Sequence, residues 1–214
     1  MSTVGTGSSA LGLSVARIEA FSDGVFAIAI TLLVLGIKLP QIPRELVASQ
    51  LWPKLLELWP SLLSYILSFV IVGVYWVAHH VMFNYIRRAD RTLLWLNLAF
   101  LMCISFIPFP AAILGEYGYE QFAVIIYAGS LVFTNSVLIL LWWYVTSKHR
   151  LVDQELPEQL IKAGMRRTLF APVIYLIAIG FSFLSVRVSL LILVFVPVLY
   201  ILPGRIDRHW SGGK

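Results

Sequence analysis

Asp23, the pair His79 and His80, the indole of Trp76 and the amide of Asn97 all lie inside stretches that are otherwise apolar. A carboxylate in such surroundings must be paired or protonated, because an isolated charge in hydrocarbon costs several kcal/mol. Trp76, His79 and His80 stand at i, i+3 and i+4, so one helix face presents an indole donor and two imidazoles. Asn97 follows about two turns inside the next apolar stretch, so carboxylate, imidazole, indole and amide can satisfy one another across three helices. The chemistry of such a set is hydrogen bonding and, at the histidines, proton carriage or pH sensing. The pair lacks the further ligands that a metal centre requires, so no metal and no cofactor is expected. Gly-x-Ser-x-Gly, His-Glu-x-x-His and P-loop patterns are absent, and the acids are few and scattered. The chain does not read as an enzyme.

The elements that must position these groups follow from composition. Of 214 residues, 59% are hydrophobic and 13% charged, with a mean hydropathy of +0.86. A soluble domain of this length needs far more polar surface, so the fold class is all-α, a polytopic membrane protein. Apolar runs of the length that crosses about 30 Å of hydrocarbon fall near 18–38, 61–85, 92–114, 121–146, 168–185 and 187–203, which predicts six spans. Twelve of the sixteen Lys and Arg lie on the N-terminus, the 2/3 and 4/5 loops and the C-terminus, and four (Lys38, Arg44, Lys54 and Arg187) on the other side. Both termini are therefore expected in the cytoplasm. The same asymmetry accounts for the net charge of +5 through attraction to anionic lipid, without a nucleic-acid partner.

Residues 1–16 read as a disordered cytoplasmic tail, 17–204 as the six-helix membrane domain and 205–214 as a cytoplasmic C-terminal tail. The 4/5 loop, with mixed charges and Pro157, reads as a short amphipathic connector. Cys103 is the single cysteine, so no intrachain disulfide forms. Pro108 and Pro110 predict a kink in the third span, and Thr134-Asn135-Ser136 predicts interhelical hydrogen bonds in the fourth.

On the first span, Ile28, Leu32, Leu35 and Leu39 fall within about 40° of one line, a column of branched aliphatics. Ala20, Gly24, Ala27 and Thr31 form a small-residue ridge beside it, and Asp23 points about 140° away. Two readings stay open at this stage. The column is either a packing or lipid-facing stripe, or, in several copies, a constriction that excludes or strips water.

Arg17-x-x-x-Phe21-Ser22-Asp23, followed by Gly-Val-Phe-Ala-Ile28 and Thr31-Leu-Leu-Val-Leu35, resembles the signature of the transmembrane protein 175 family of bacterial and lysosomal cation channels. The similarity extends to Trp76-x-x-His79-His80, to the stretch from Arg88 to Asn97, and to Ser105-Phe-Ile-Pro108-Phe-Pro110. The resemblance implies a bacterial-type potassium channel without a carbonyl-lined loop, built as a homotetramer in a bacterial plasma membrane. Its first helices would line the pore, with Ile28, Leu32 and Leu35 as the constriction and Thr31 as the polar residue beside it. It further implies that Arg17, Ser22, Asp23, Trp76, His79, His80 and Asn97 form a polar network holding that helix, with K+ as the permeant ion. An ideal helix puts Arg17 on the Ile28 face, roughly 16 Å toward the cytoplasm. It therefore either reaches a neighbouring subunit or precedes the true helix start. The competing expectations are a proton-conducting or nonselective channel and a proton-coupled secondary transporter working through Asp23 and the histidines.

Overall fold

The computed structural model describes residues 14–201, and the chain within them is almost wholly helical. The expected terminal tails lie mostly outside the described residues. Residues 15 and 16, expected in the first tail, are already helical. The elements are α1 (Val15–Leu32), continued by a 3₁₀ turn (Leu33–Gly36), then α2 (Val47–Leu56), α3 (Trp59–Phe83), α4 (Arg91–Phe106), α5 (Pro108–Tyr117), α6 (Gln121–Thr146), α7 (Glu158–Ser182) and α8 (Val186–Ile201).

Among the described residues, five segments are long and apolar enough to cross a membrane, and α8 is a shorter apolar helix. The sixth expected span is present as the helix α8, described as far as Ile201. The fifth begins earlier than expected: α7 absorbs Glu158–Arg167, expected as connector. Strong helix formers fill this stretch, Pro157 stands just ahead of the first turn, and Lys162 pairs with Glu158 four residues back at 3.0 Å. The short α2 was not expected at all. Val47, Leu51 and Leu55 give it helical periodicity, but Pro53 masks the signal.

Pro108 and Pro110 divide the third span into α4 and α5. Both prolines lack the amide that a continuous helix would use, yet Ile107 keeps helical torsions, φ −52° and ψ −37°. Its N–H donates to the Ile104 carbonyl at 3.2 Å, so that oxygen has a partner although Pro108 cannot supply one. The helix is kinked without being abandoned.

Helix α6 is the hub. It packs on α4, α5, α7 and α8, while α1 lies against α3 and α4 and α8 reaches across to α3. Val124, Tyr127, Leu131 and Leu141 of α6 and Phe100 and Ile104 of α4 are fully buried in this core. Polar side chains fasten the helices where hydrocarbon offers no competing water. Ser68 and the Tyr127 hydroxyl meet at 2.9 Å, the Tyr75 hydroxyl donates to the Leu131 carbonyl at 3.1 Å, and Ser64 donates to the Ala111 carbonyl at 2.6 Å. Of Thr134, Asn135 and Ser136, only Asn135 crosses to another helix, donating to Tyr75, while the two hydroxyls bond to their own helix. Gly115 allows α5 to approach α3, since a Cβ there would sit 2.9 Å from the Ser61 Cα.

Arg87, Arg88, Lys148 and Arg150 cluster where the 2/3 and 4/5 loops meet, joined by an antiparallel bridge between Ile86 and Val152. These cations mark the basic end of the bundle. Asp90 fixes the start of α4 there, accepting from the Leu93 amide at 2.8 Å and from the Tyr144 hydroxyl at 2.6 Å.

Candidate functional site

Helix α1 has two unlike faces. Ile18, Ser22, Phe26, Ala29 and Leu33, spaced four, four, three and four apart, are buried against the bundle. Phe26 is 1% exposed, whereas Ile28 is 61% and Leu35 73% exposed, and Leu32 and Leu39 are exposed with them. The small-residue ridge of Ala20, Gly24, Ala27 and Thr31 is also bare. A Cβ built on Gly24 would meet nothing within 4 Å. Column and ridge therefore form one broad face that no described helix of the same chain covers.

The buried face is held over barely two turns, from Glu19 to Phe26. In its interior, the His79 Nε2–H donates to the Asn97 Oδ1 at 2.9 Å. The Asn97 amide donates in turn to the Ser22 Oγ at 2.9 Å, and the Ser22 hydroxyl donates to the Ile18 carbonyl at 2.8 Å. Because Ser22 spends its one hydrogen on Ile18, it must accept from the Asn97 nitrogen. That fixes the amide orientation, and with it the protonated nitrogen of the His79 ring. His79 stacks on Phe83 at 4.1 Å and lies nearly parallel to Phe100, 4° off, at 5.7 Å, with Phe26 tilted against it at 5.7 Å. Its other nitrogen, Nδ1, is buried without a hydrogen-bond partner among the described residues.

A second set of contacts runs along the edge of α1. The Trp76 indole donates to the Asp23 Oδ1 at 2.8 Å, and the His80 Nδ1 lies 3.1 Å from the Glu19 Oε1. Trp76 and His80 stack at 5.9 Å. A spacing of four residues thus recurs on both partners, Glu19 to Asp23 on α1 and Trp76 to His80 on α3, and brings the two pairs into register.

The structure accordingly replaces the single expected network with two. Ser22, Asn97 and His79 form one, Asp23 with Trp76 and Glu19 with His80 the other, and neither histidine bonds to Asp23. Glu19 was not among the expected residues, although its four-residue offset from Asp23 was visible. Arg17 joins neither set. It is exposed and has no partner among the described residues, and the helix begins before it, at Val15. Thr31 gives its hydroxyl hydrogen to the Ile28 carbonyl at 2.8 Å and the Ala27 carbonyl at 3.1 Å, so what it presents to the open face is an oxygen.

Past α1, Gly36 packs closely on α5, where a Cβ would lie 3.2 Å from the Ala112 Cβ. Lys38 then meets Glu116 at 2.5 Å. The hydrogen bond and charge of Glu116 hold the exposed Lys38 ammonium above its ordinary pKa. No group of three or more His, Cys, Asp or Glu that could hold a metal exists among the described residues.

The family profile for the endosomal/lysosomal potassium channel TMEM175 matches residues 17–108, the part of the chain that carries the residues of both networks. A protein from Streptomyces collinus named as a potassium channel is 40% identical, over 81% of this chain and 85% of its own length. One from Chamaesiphon minutus, also named as a potassium channel, is 42% identical over 81% of this chain and 86% of its own. The crystal structure of a lysosomal potassium-selective channel TMEM175 homologue from Chamaesiphon minutus superposes with a TM-score of 0.78 at 38% identity, covering 88% of this chain and 96% of that one. By sequence over most of its length and by fold, the chain belongs to the TMEM175 family.

Proposed function

We propose that the chain is a potassium-selective channel subunit, with no catalytic activity, four copies of which surround a central pathway lined by the exposed face of α1. The observation that carries this reading is that face itself. A continuous column of Ile28, Leu32 and Leu35 is left bare by its own chain while the opposite face of the same helix is locked in place. The resemblance to potassium channels over most of the chain supports the choice of ion.

Around a fourfold axis, Ile28, Leu32 and Leu35 form stacked aliphatic rings that narrow the pathway and offer an ion no ligands. A cation passes such rings only with its water or after losing some of it, and K+ sheds water more cheaply than Na+. The Thr31 oxygen, between Ile28 and Leu32, is the polar group available there. The preference this produces is weaker than that of a carbonyl-lined filter. Ser22, Asn97, His79, Asp23, Trp76 and His80 set the rotation of α1 so that the column faces the axis, and Arg17 stands on the exposed side for a neighbouring subunit. The basic end faces the cytoplasm of a bacterial cell, with both termini on that side.

The test is the reversal potential of reconstituted protein under a K+/Na+ gradient, with Ile28→Asn beside wild type. The expected result is a wild-type potential displaced toward K+ equilibrium that moves back toward zero in the variant. Absence of electrodiffusive current together with pH-driven uptake would replace the channel with a transporter.

A further inference from the structure

Helix α2 buries none of its ten residues against the rest of the described chain. Among the described elements it packs on the 3₁₀ turn Arg44–Leu46 just before it. A helix this short is marginal in water without further support, so a cover that the described residues do not supply must stabilise it. The sequence of α2 says what kind of surface that is. At about 100° per residue, Val47, Leu51, Leu55, Ala48, Trp52 and Leu56 follow one another round one half of the circumference. Ser49, Pro53, Gln50 and Lys54 fill the other half. Val47, Leu51, Trp52 and Leu56 are exposed, Trp52 by 71%. The polar half suits water: Pro53 has no N–H to offer the Ser49 carbonyl on that side, and the Lys54 ammonium donates to the Glu57 Oε2 at 2.8 Å.

The depth of α2 is set by its neighbour. Helix α3 runs 25 residues from Trp59, about 37 Å at 1.5 Å per residue, so it crosses about 30 Å of hydrocarbon unaided. Glu57 and Leu58 alone interrupt the helix between α2 and α3. Helix α2 therefore lies where α3 enters the membrane, at the end of the bundle opposite the loop that carries Arg87 and Arg88. Trp59 is exposed at this same level. Indoles, with an apolar body and a polar N–H, suit the headgroup boundary.

We propose that α2 is an interfacial helix, lying along the membrane surface with Leu51, Trp52 and Leu55 among the outermost acyl carbons and Ser49 and Gln50 in water. The charges of Arg44 and Lys54 cancel those of Glu45 and Glu57, so the surface it meets is the apolar boundary of the bilayer and not an anionic headgroup. At this depth the bilayer supplies hydrocarbon on one side and water on the other, which satisfies both halves of α2 without a second copy of the chain. Lys38 is tied to Glu116 of α5. The connection from α1 to α3 is thus held at one end by protein and at the other by lipid.

Nitroxide labels on Leu51→Cys, Trp52→Cys, Ser49→Cys and Gln50→Cys, in the full chain reconstituted in phosphatidylcholine vesicles, test this placement. The readout is collision with oxygen, which concentrates in hydrocarbon, and with a nickel chelate, which stays in water. Cys103 is buried, and the unsubstituted protein carried through the same labelling measures any share it takes. None of the four replaced side chains is buried, so the fold tolerates their replacement. No current is measured, and the result is independent of the channel reading. Labels at 51 and 52 are expected to collide more with oxygen, and those at 49 and 50 more with the chelate, a reversal within one turn of helix. Chelate excess at all four positions would put α2 in water and overturn the proposal. Exclusion of both reagents at 51 and 52 would overturn it as well, and would assign that face to a second copy of the chain.

Discussion

The two faces of α1 are made of nearly the same material and have opposite fates. One carries Ile18, Phe26, Ala29 and Leu33, the other Ile28, Leu32, Leu35 and Leu39, and neither set is more apolar than the other in any way that decides its burial. What separates them is the polar company. Ser22 lies on the first face, Glu19 and Asp23 lie beside it, and each has a partner on α3 or α4, whereas Thr31, on the second face, bonds only to its own helix. In a membrane, where hydrocarbon does not push apolar faces together, polar pairs and close packing decide which side turns inward.

The difference is tested most severely by removing one large side chain from each face. Phe26→Ala, which opens a cavity among His79 and Phe100, is expected to cost about 3 kcal/mol in unfolding of the reconstituted protein. Ile28→Ala should stay within about 0.5 kcal/mol of wild type while raising potassium flux. Equal destabilisation by both would make the second face a packing surface and end the pore assignment. A smaller effect is expected from Asn97→Ala, which strips one partner each from His79 and Ser22 and should cost about 1–2 kcal/mol. No loss there would mean that packing alone orients α1. Smallest is Glu116→Gln, which leaves Lys38 without its exposed partner. Melting should be unchanged, and potassium flux should fall by less than about twofold at low salt and recover at high salt.

The sequence carried the helical class, the apolar segments and the polar residues of the α1 seam, because burial cost makes Asp23, His79 and Asn97 conspicuous in apolar surroundings. It did not carry the pairings. Whether Asp23 meets Trp76 or a histidine depends on the rotation of α3 about its own axis, and a few tens of degrees change the answer without altering the periodicity. Glu19 escaped notice for the opposite reason: near the helix start an acid is unremarkable until His80 is seen beside it. The early start of α7 was hidden by its charges, which look like a loop when hydropathy is the guide. The same wheel that isolated the aliphatic column could not show that the adjacent ridge is equally bare.

The chain of bonds from His79 through Asn97 and Ser22 to the Ile18 carbonyl has a direction, each group giving one hydrogen to the next. Its middle member is a neutral amide, which does not readily take up and release protons as an imidazole does. Reversing the sequence of donors would require the ring, the amide and the hydroxyl to turn together inside a packed aromatic cluster. The seam therefore works as a strut and not as a wire: it can hold α1 at one angle, but it is poorly built to carry a proton along it.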